Sequence, residues 1–353
     1  MPRRKTIKPD DRTGLPEGIG WPGALSAACA PVALFVYNRP EHTRQTLEHL
    51  RANHLASLTR LFVFADGPKD KTAVGQVGAV RKLIHSIDGF KSITIIERDR
   101  NLGLSASIIA GVTQLCSEYG RAIVVEDDVL TAKDFLSFLN FALCQYSNEQ
   151  TVFSIGAFNF PIPAPSAYAY DAFFSYRFMC WGWGTWRDRW EKADWSVKDY
   201  PEFAADPERQ KRFNRGGNDC SWLLARHMAG KIDSWDTVWA YTHSKHNAVT
   251  LLPVVSKVHN IGFDGSGTHC RRSPFAQASL AQSFIADNRL PDSLDVDPYF
   301  ASQIQRLRDR SLPKKFAQYI RDGFVSRRKR AIQNPVGSDE TEFRQRPLGT
   351  RID

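Results

Sequence analysis

Residues 122–128 read Ala-Ile-Val-Val-Glu-Asp-Asp, a short apolar run that ends in three carboxylates. The apolar part is β-branched and short, so it predicts a buried strand. Three adjacent acids at the end of such a strand repel one another. A divalent cation resolves that repulsion, because Mg²⁺ or Mn²⁺ takes carboxylate oxygens and leaves positions for substrate phosphates. The alternative is an acidic loop that caps a helix starting at about Lys133.

Three further strands precede this one, at residues 32–37, 61–65 and 93–96. Segments with helical periodicity separate the four strands, so the sequence predicts an α/β fold with a mostly parallel sheet and helices on both faces. Ligands bind such sheets at the carboxyl ends of the strands. Asn38 and Arg39 follow the first strand and Asp66 follows the second, so we expect them near the acidic triplet.

Local signals give the boundaries of several elements. Asn38 is a candidate N-cap, Pro40 suits the first turn of a helix, and Gly120 suits the end of the helix over residues 104–119. In the second half we expect helices at 134–146 and 221–228, a strand at 152–155 and an extended segment at 239–241.

Composition and charge narrow the function classes. The chain has 353 residues, 42% apolar content and a net charge of +9, which suits a globular protein with anionic partners. No GxGxxG motif follows the first strand, where the sequence reads Tyr37-Asn38-Arg39-Pro40, and no GxxxxGK[ST] motif occurs. Zinc-finger spacing and aromatic RNA-binding signatures are also absent, so we expect nucleotides or phosphates as partners and no nucleic acid.

Three regions are expected along the chain: a loose leader over residues 1–30, a main domain over 31–272, and a polar, basic helical C-terminal extension over 273–353. The six cysteines include no CxxC pair, which favours a reduced, cytoplasmic compartment. No apolar run is long enough for a membrane span. The basic segment 327–330 predicts at most peripheral contact, at the inner face of a membrane.

A tryptophan block at residues 180–190 reads Cys-Trp-Gly-Trp-Gly-Thr-Trp-Arg-Asp-Arg-Trp. Glycines between indoles let the backbone approach a ligand closely, and indole faces stack on sugars or bases. This pattern makes Trp181, Trp183 and Trp186 candidate walls of a binding site. The alternative is a packed aromatic core.

Two later stretches carry candidate chemistry. Asp236 lies between aromatic residues, where desolvation would raise its basicity as a general base requires; the alternative is an N-cap. Residues 260–269 read Asn-Ile-Gly-Phe-Asp-Gly-Ser-Gly-Thr-His and suit a loop closing over a phosphate, or else a plain surface loop. His259 and His269 are candidate metal ligands beside it.

Taken in this order, these blocks resemble a GT-A glycosyltransferase over about residues 31–272. The triplet resembles the acidic metal motif of that fold and, more narrowly, the Glu-Asp-Asp of the N-acetylglucosaminyltransferase I-like family. Residues 252–267 are similar to that family's loop closing on the donor. Residues 181–186 with 260–262 resemble a group of bacterial sugar transferases, and Asn101-Leu102-Gly103 before a helix recurs in inverting GT-A enzymes.

The resemblance implies roles for single residues. Asp128 would bridge the metal, Mn²⁺ or Mg²⁺, with His259 as a second candidate ligand. Asp236 would be the catalytic base. This chain has Trp-Asp-Thr where the eukaryotic N-acetylglucosaminyltransferase I-like family has Trp-Asp-Asp-Trp, so Asp194 is the alternative candidate for the base. The other positions would contact substrate: Asn38, Arg39, Asp66, Asn101, Glu126, Asp127, Trp181, Trp183, Trp186, Gly262, Gly265 and Gly267.

The function expected from the sequence is therefore a metal-dependent, inverting glycosyltransferase, a hexosyl- or N-acetylhexosaminyltransferase of polysaccharide biosynthesis. Its partners would be a nucleotide-diphosphate sugar donor and a glycan, polysaccharide or glycolipid acceptor. One rival is a sugar-nucleotide nucleotidyltransferase, although the expected Gly-rich basic loop after the first strand is missing. The other is a non-catalytic carbohydrate- or lipid-binding module.

Overall fold

The computed structural model describes residues 29–265 and 289–309, together with the backbone of residues 4–7. The strands are β1 Arg4–Ile7, β2 Val32–Val36, β3 Arg60–Ala65, β4 Ser92–Glu97, β5 Arg121–Glu126, β6 Val129–Thr131, β7 Val152–Gly156, β8 Ala172–Ser175, β9 Trp183–Trp186, β10 Val249–Pro253 and β11 Val258–Asn260. The α-helices are α1 Pro40–Arg51, α2 Val74–Ile84, α3 Leu104–Tyr119, α4 Phe135–Gln145, α5 Arg187–Trp190, α6 Tyr200–Ala205, α7 Pro207–Phe213, α8 Cys220–Met228, α9 Trp235–Lys245 and α10 Pro298–Leu307.

Nine of the strands described form one sheet, in the order β1-β4-β3-β2-β5-β9-β7-β10-β8. The four strands predicted from the first half, β2 to β5, are mutually parallel, and β7 and β10 share their direction. Strands β1, β8 and β9 run the opposite way. The predicted α/β architecture with a mostly parallel sheet is confirmed, and it is consistent with the GT-A fold.

Alternate residues of the central strands face two separate cores, because successive side chains point to opposite faces of a sheet. On β2, Leu34 joins the core that holds Leu50 of α1. Its neighbour Phe35 joins the core that holds Ile108 and Val112 of α3. Helices therefore cover both faces, as the near-continuous apolar strands require.

Several helix boundaries follow the local signals. Pro40 occupies the first turn of α1, and Gly120 ends α3 in the left-handed conformation at φ 76°. The predicted cap at Asn38 is wrong, because Arg39 holds the N-cap position and no side chain caps the helix. The extended segment expected at 239–241 is also wrong: these residues lie inside α9, where Trp235, Val238, Trp239 and Thr242 are buried at helical spacing.

The two predicted terminal regions contain ordered elements. Residues 4–7 pair antiparallel with β4 within the segment expected to be a loose leader. Helix α10 lies within the expected C-terminal extension, yet its Phe300 is buried and stacks on Phe173 with ring centroids 3.9 Å apart. The compact unit holding these elements runs from Met1 to Arg310, and a second unit, Ser311–Asp353, lies outside the described residues.

Candidate active site

The acidic triplet forms a turn that two other parts of the fold hold in place. Glu126 ends β5, and the short strand β6 follows at once, so β6 separates the triplet from α4. The Thr46 hydroxyl on α1 donates to the carbonyl oxygen of Asp127 over 2.9 Å. The Ile261 amide donates to the carbonyl oxygen of Asp128 over 2.8 Å. The triplet therefore does not cap the following helix, which was the alternative to a metal site.

Arg39 neutralises part of the acidic turn. Its Nη2 atom hydrogen-bonds Oδ1 of Asp127 and lies 2.9 Å from Oδ2 of Asp128. Both aspartates are buried. Burial alone would lower the pKa of Arg39, but the two carboxylates outweigh it and raise that pKa. For Asp127 burial is the largest effect, and it raises the pKa to about 6 even with Arg39 beside it.

Asp236 lies close to the triplet, although 108 positions of sequence separate it from Asp128. It sits in the first turn of α9, and the Ser234 hydroxyl donates to its Oδ1 over 2.5 Å. Burial, followed by the charges of Asp128, Asp127 and Asp236, raises the pKa of Glu126 well above its ordinary value. The pKa of the Cys180 thiol is also raised, by burial first and then by the charges of Asp236 and Glu126. The tertiary fold thus gathers the predicted base, the acidic turn and Cys180.

The rival base, Asp194, is engaged within its own loop. Its carboxylate accepts hydrogen bonds from the Ser196 hydroxyl at 2.7 Å and from the Lys198 amide at 2.8 Å. These bonds, led by the one from Ser196, lower the pKa of Asp194. A carboxylate with a lowered pKa is a weaker base.

The start of the predicted closing loop covers the acidic turn. Strand β11 pairs with β6, which places Asn260 opposite Val129. Gly262 follows, and a Cβ atom on it would lie 2.1 Å from Oδ2 of Asp128. Oδ2 of Asp264 lies 3.2 Å from Nε2 of His42 on α1. Gly265 has φ 97°, which favours glycine, whereas Gly267 and His269 lie outside the described residues.

The tryptophan block divides into one residue near the site and two in the interior. Trp181 is half-buried and contacts Phe263 of the covering loop, with ring centroids 5.3 Å apart. Trp183 is fully buried and stacks on Trp235. Trp186 is buried and donates its indole N–H to the Leu143 carbonyl. The expectation that Trp183 and Trp186 form site walls is therefore wrong: they lie on β9, a central strand of the sheet.

The glycines of this block also serve packing. A Cβ on Gly182 would lie 2.8 Å from the Phe135 ring, and one on Gly184 would lie 3.0 Å from Leu143 and 3.2 Å from the Ala122 carbonyl oxygen. Close approach is needed, as the composition suggested, but the neighbours are the core and the adjacent strand β5.

Asp66 and Asn101 each form a side-chain hydrogen bond to the backbone of the loop that contains the other. Asp66 is buried and accepts hydrogen bonds from the backbone amides of Leu102 and Gly103, at 2.9 and 3.0 Å. Asn101 donates to the Gly67 carbonyl at 3.0 Å. These bonds fix the entry to α3 against the end of β3. Asn38 is half-buried at the end of β2 beside Arg39. Substrate contact by these three residues stays a prediction.

The structure adds three residues that sequence reasoning did not assign to the site: Ser234 on Asp236, His42 on Asp264, and Cys180 near the acids. Ser234 alone carried a signal, because a hydroxyl two residues before an acid at a helix start is placed to bond it. The sequence gave no signal for His42 or Cys180, since the groups near them lie more than fifty positions away along the chain.

The residues present suit a cation shared with a substrate. Among the described residues, no three His, Cys, Asp or Glu side chains gather as an all-protein metal site. Mg²⁺ and Mn²⁺ often use one or two carboxylates and complete their shell with phosphate oxygens and water. Asp127 and Asp128 offer such a pair, with Arg39 beside it, and Arg177 lies close enough to Asp236 for that charge to raise the pKa of Arg177. His259 lies on β11, on the face opposite Asn260, and stays a candidate ligand by prediction alone.

Comparisons with known proteins give weak likenesses. No protein family matches the chain, and no curated protein matches it. Among solved structures, the mannosyltransferase PcManGT from Pyrobaculum calidifontis, in complex with GDP-Man and Mn²⁺, is 13% identical, with 61% of this chain and 70% of that chain covered and a TM-score of 0.36. TarS of S. aureus is 14% identical, with 40% and 24% covered and a TM-score of 0.28. Mouse xyloside xylosyltransferase 1, in its apo form, is 9% identical, with 63% and 83% covered and a TM-score of 0.34.

Such identities and TM-scores assign no substrate or mechanism. Two of the three descriptions name sugar transferases, and the chain's own sheet has the architecture predicted from its motifs. The narrower resemblance to the N-acetylglucosaminyltransferase I-like family stays a prediction. Within the described part of the chain, no helix has both the length and the apolar composition to cross a bilayer.

Proposed function

We propose that the protein is a metal-dependent, inverting glycosyltransferase that moves a sugar from a nucleotide-diphosphate donor to an acceptor hydroxyl of a glycan or glycolipid. One observation carries the proposal: Asp236, on the second half of the chain, lies close enough to the turn 126–128 to raise the pKa of Glu126. A turn of carboxylates that could hold a cation, and a separate carboxylate near it, are the two parts that this reaction needs.

Asp236 is the proposed general base. It would take the proton from the acceptor hydroxyl as the oxygen attacks the anomeric carbon, and one displacement of this kind inverts the configuration. The Ser234 hydrogen bond at 2.5 Å holds the carboxylate in one orientation, which reduces the cost of positioning it. Trp181, half-buried beside the covering loop, offers an apolar wall that helps to exclude water.

The donor would lie over the acidic turn. Asp128, with Asp127 beside it, would hold Mn²⁺ or Mg²⁺, which when bound supplies Lewis-acid stabilisation of the departing diphosphate. Glu126, beside these aspartates, would contact a hydroxyl of the donor sugar. The loop from Asn260 to Gly265 covers the turn and would close over the phosphates. Residues 31–272 would form the catalytic domain, with α10 packed into it.

The experiment is a panel of nucleotide sugars assayed for release of nucleoside diphosphate, with Mn²⁺, with Mg²⁺ and with chelator. We expect release from one donor class that requires a divalent cation and is lost in Asp128→Asn. Asp128→Asn changes the charge but barely the volume, so folding can be checked by thermal melting. Release of pyrophosphate would indicate a nucleotidyltransferase. Tight sugar binding without release from any donor would indicate a binding module.

The hexosyl or N-acetylhexosaminyl identity of the donor, the acceptor and a cytoplasmic location belong to the same proposal. The panel tests the first directly. The basic segment 327–330, the basis for membrane contact, lies outside the described residues.

A further inference from the structure

One nitrogen atom of Arg39 occupies the point that two carboxylates share. Nη2 hydrogen-bonds Oδ1 of Asp127 and lies 2.9 Å from Oδ2 of Asp128. A cation coordinated through these two oxygens would compete with the guanidinium for them. The guanidinium therefore lies where such a cation would bind.

The surroundings leave Arg39 little freedom to share that place. Its side chain is 20% exposed, and those of Asp127 and Asp128 are 6% and 9% exposed. Gly262 is also close: a Cβ atom on it would lie 2.1 Å from Oδ2 of Asp128 and 3.2 Å from Nη1 of Arg39. A metal ion that binds Asp128 through Oδ2 would compete with the guanidinium there, because the two cations repel each other.

Displacing Arg39 without giving it a new partner is costly. Two nearly buried carboxylates and a nearly buried guanidinium would lose their ion pairs, and an uncompensated buried charge is strongly unfavourable. A diphosphate removes the difficulty, because a guanidinium forms strong bidentate hydrogen bonds to phosphate oxygens. The carboxylates are then free to take the metal, and the metal in turn binds the diphosphate.

We propose that Arg39 is a placeholder cation that the donor's diphosphate draws away from Asp127 and Asp128, so that metal and nucleotide bind as a coupled pair. This inference rests on the proposed function. Coupling of this kind is reciprocal: the nucleotide strengthens metal binding by the same factor as the metal strengthens nucleotide binding. Arg39 is thus a positioning residue whose charge sets the order of events at the acidic turn.

The test measures Mn²⁺ binding without turnover, by the loss of the free-ion electron paramagnetic resonance signal. Full-length protein is titrated with Mn²⁺ alone and with saturating UDP or GDP. We expect weak binding to the wild type alone, and binding about tenfold or more tighter once the matching nucleotide is present. Arg39→Gln should bind Mn²⁺ without nucleotide about tenfold more tightly than the wild type, since the competing cation is gone. Its enhancement by nucleotide should shrink.

Two variants control for folding and for general charge. Arg39→Lys keeps a cation over the carboxylates and should stay near the wild type. Arg44 lies on the same helix, 44% exposed and paired with Glu41 and Glu48, so Arg44→Gln removes an arginine that does not touch the turn. It should leave both affinities unchanged. Thermal melting of each variant verifies that it is folded.

The outcomes separate the inference from the function beneath it. If Arg39→Gln binds Mn²⁺ alone no better than the wild type, or keeps the full enhancement by nucleotide, the placeholder role is wrong while the glycosyltransferase proposal stands. If the wild type binds neither Mn²⁺ nor any nucleoside diphosphate, the proposed function itself fails. Tight Mn²⁺ binding to the wild type without nucleotide also overturns the inference alone.

Discussion

A Cβ atom on Gly262 would lie 2.1 Å from Oδ2 of Asp128, closer than any non-bonded carbon and oxygen can approach. The same Oδ2 atom lies 2.9 Å from Nη2 of Arg39. Residues 128 and 262 therefore fit only because one of them is glycine, and this packing ties the covering loop to the acidic turn.

Replacing Gly262 by alanine should disable the site while leaving the fold intact. The new methyl group must push Asp128 or the loop aside, because both neighbours are held by backbone hydrogen bonds. We expect turnover to fall about a hundredfold, the size of loss that an ångström of misplacement causes. Steady-state kinetics and thermal melting measure the two effects. Gly78→Ala on α2, with nothing within 4 Å of the new atom, is the control and should leave activity unchanged.

The two candidate bases should respond differently to loss of charge. Asp236→Asn should lower kcat by about 10² to 10⁴, the usual contribution of a general base, with donor affinity nearly kept. Asp194→Asn should leave kcat within about twofold, because Asp194 lies in its own hydrogen-bonded loop. Comparison of kcat with nucleotide affinity distinguishes a lost base from a lost binding site. Equal losses in the two variants would refute the assignment.

Trp181 and Trp183 are two positions apart, and their replacement should affect different properties: substrate binding for Trp181 and stability for Trp183. Trp183→Ala leaves a large cavity among Trp190, Trp235 and Phe178, and should cost about 3–5 kcal/mol of stability. Trp181→Ala removes a half-buried ring beside the covering loop, so its main effect should be a raised KM. Chemical denaturation and kinetics together separate the cases. A raised KM without destabilisation in Trp183→Ala would mean that it lines the site after all.

The buried His243 should make the protein less stable as the pH falls. Nδ1–H donates to the Trp239 carbonyl at 2.8 Å, and Nε2 accepts from the Ser154 hydroxyl at 3.1 Å, so the ring is held neutral. Burial lowers its pKa from 6.5 to about 4. Between these values the unfolded chain binds one more proton than the folded chain, so the free energy of unfolding rises with pH.

Acidification from pH 6.5 to 4 should therefore cost on the order of 3 kcal/mol through this group alone. Urea denaturation of the wild type and of His243→Gln at several pH values isolates its share. The variant's stability should fall less steeply across this range. Parallel curves would show that His243 does not contribute.

The buried ion pair of Lys257 and Asp134 should be sensitive to loss of one partner. Nζ of Lys257 lies 2.5 Å from Oδ2 of Asp134, and both side chains are 3% exposed. Lys257→Met leaves Asp134 without its cation and should cost about 3–5 kcal/mol. The double variant with Asp134→Leu should recover much of that loss, since no charge remains buried. A double-mutant cycle by chemical denaturation measures the coupling.

The first half of the fold could be predicted from local sequence, because each signal there is contained in a few residues. Three predictions there are confirmed: the strand ending at Glu126, the end of α3 at Gly120, and Pro40 at the start of α1. The segment 239–241 did not, because a short aromatic run fits a strand or a helix equally well. Tertiary packing decides its conformation: Trp239 lies in the core that holds Val124 and Phe153 of the sheet, and Tyr241 lies in a separate cluster with Phe203 and Phe213.

For the site, the sequence by itself determined which chemistry is present: an acidic turn at a strand end, an arginine after the first strand, and a glycine-rich loop. Only the tertiary structure decided which groups meet. It put Arg39 across Asp127 and Asp128, brought Asp236 close enough to Glu126 to raise its pKa, and left Asp194 in a separate loop. It also buried Trp183 and Trp186 in a central strand. Residue type and spacing fix local conformation, but contacts across a hundred positions depend on the order and direction of strands in the sheet.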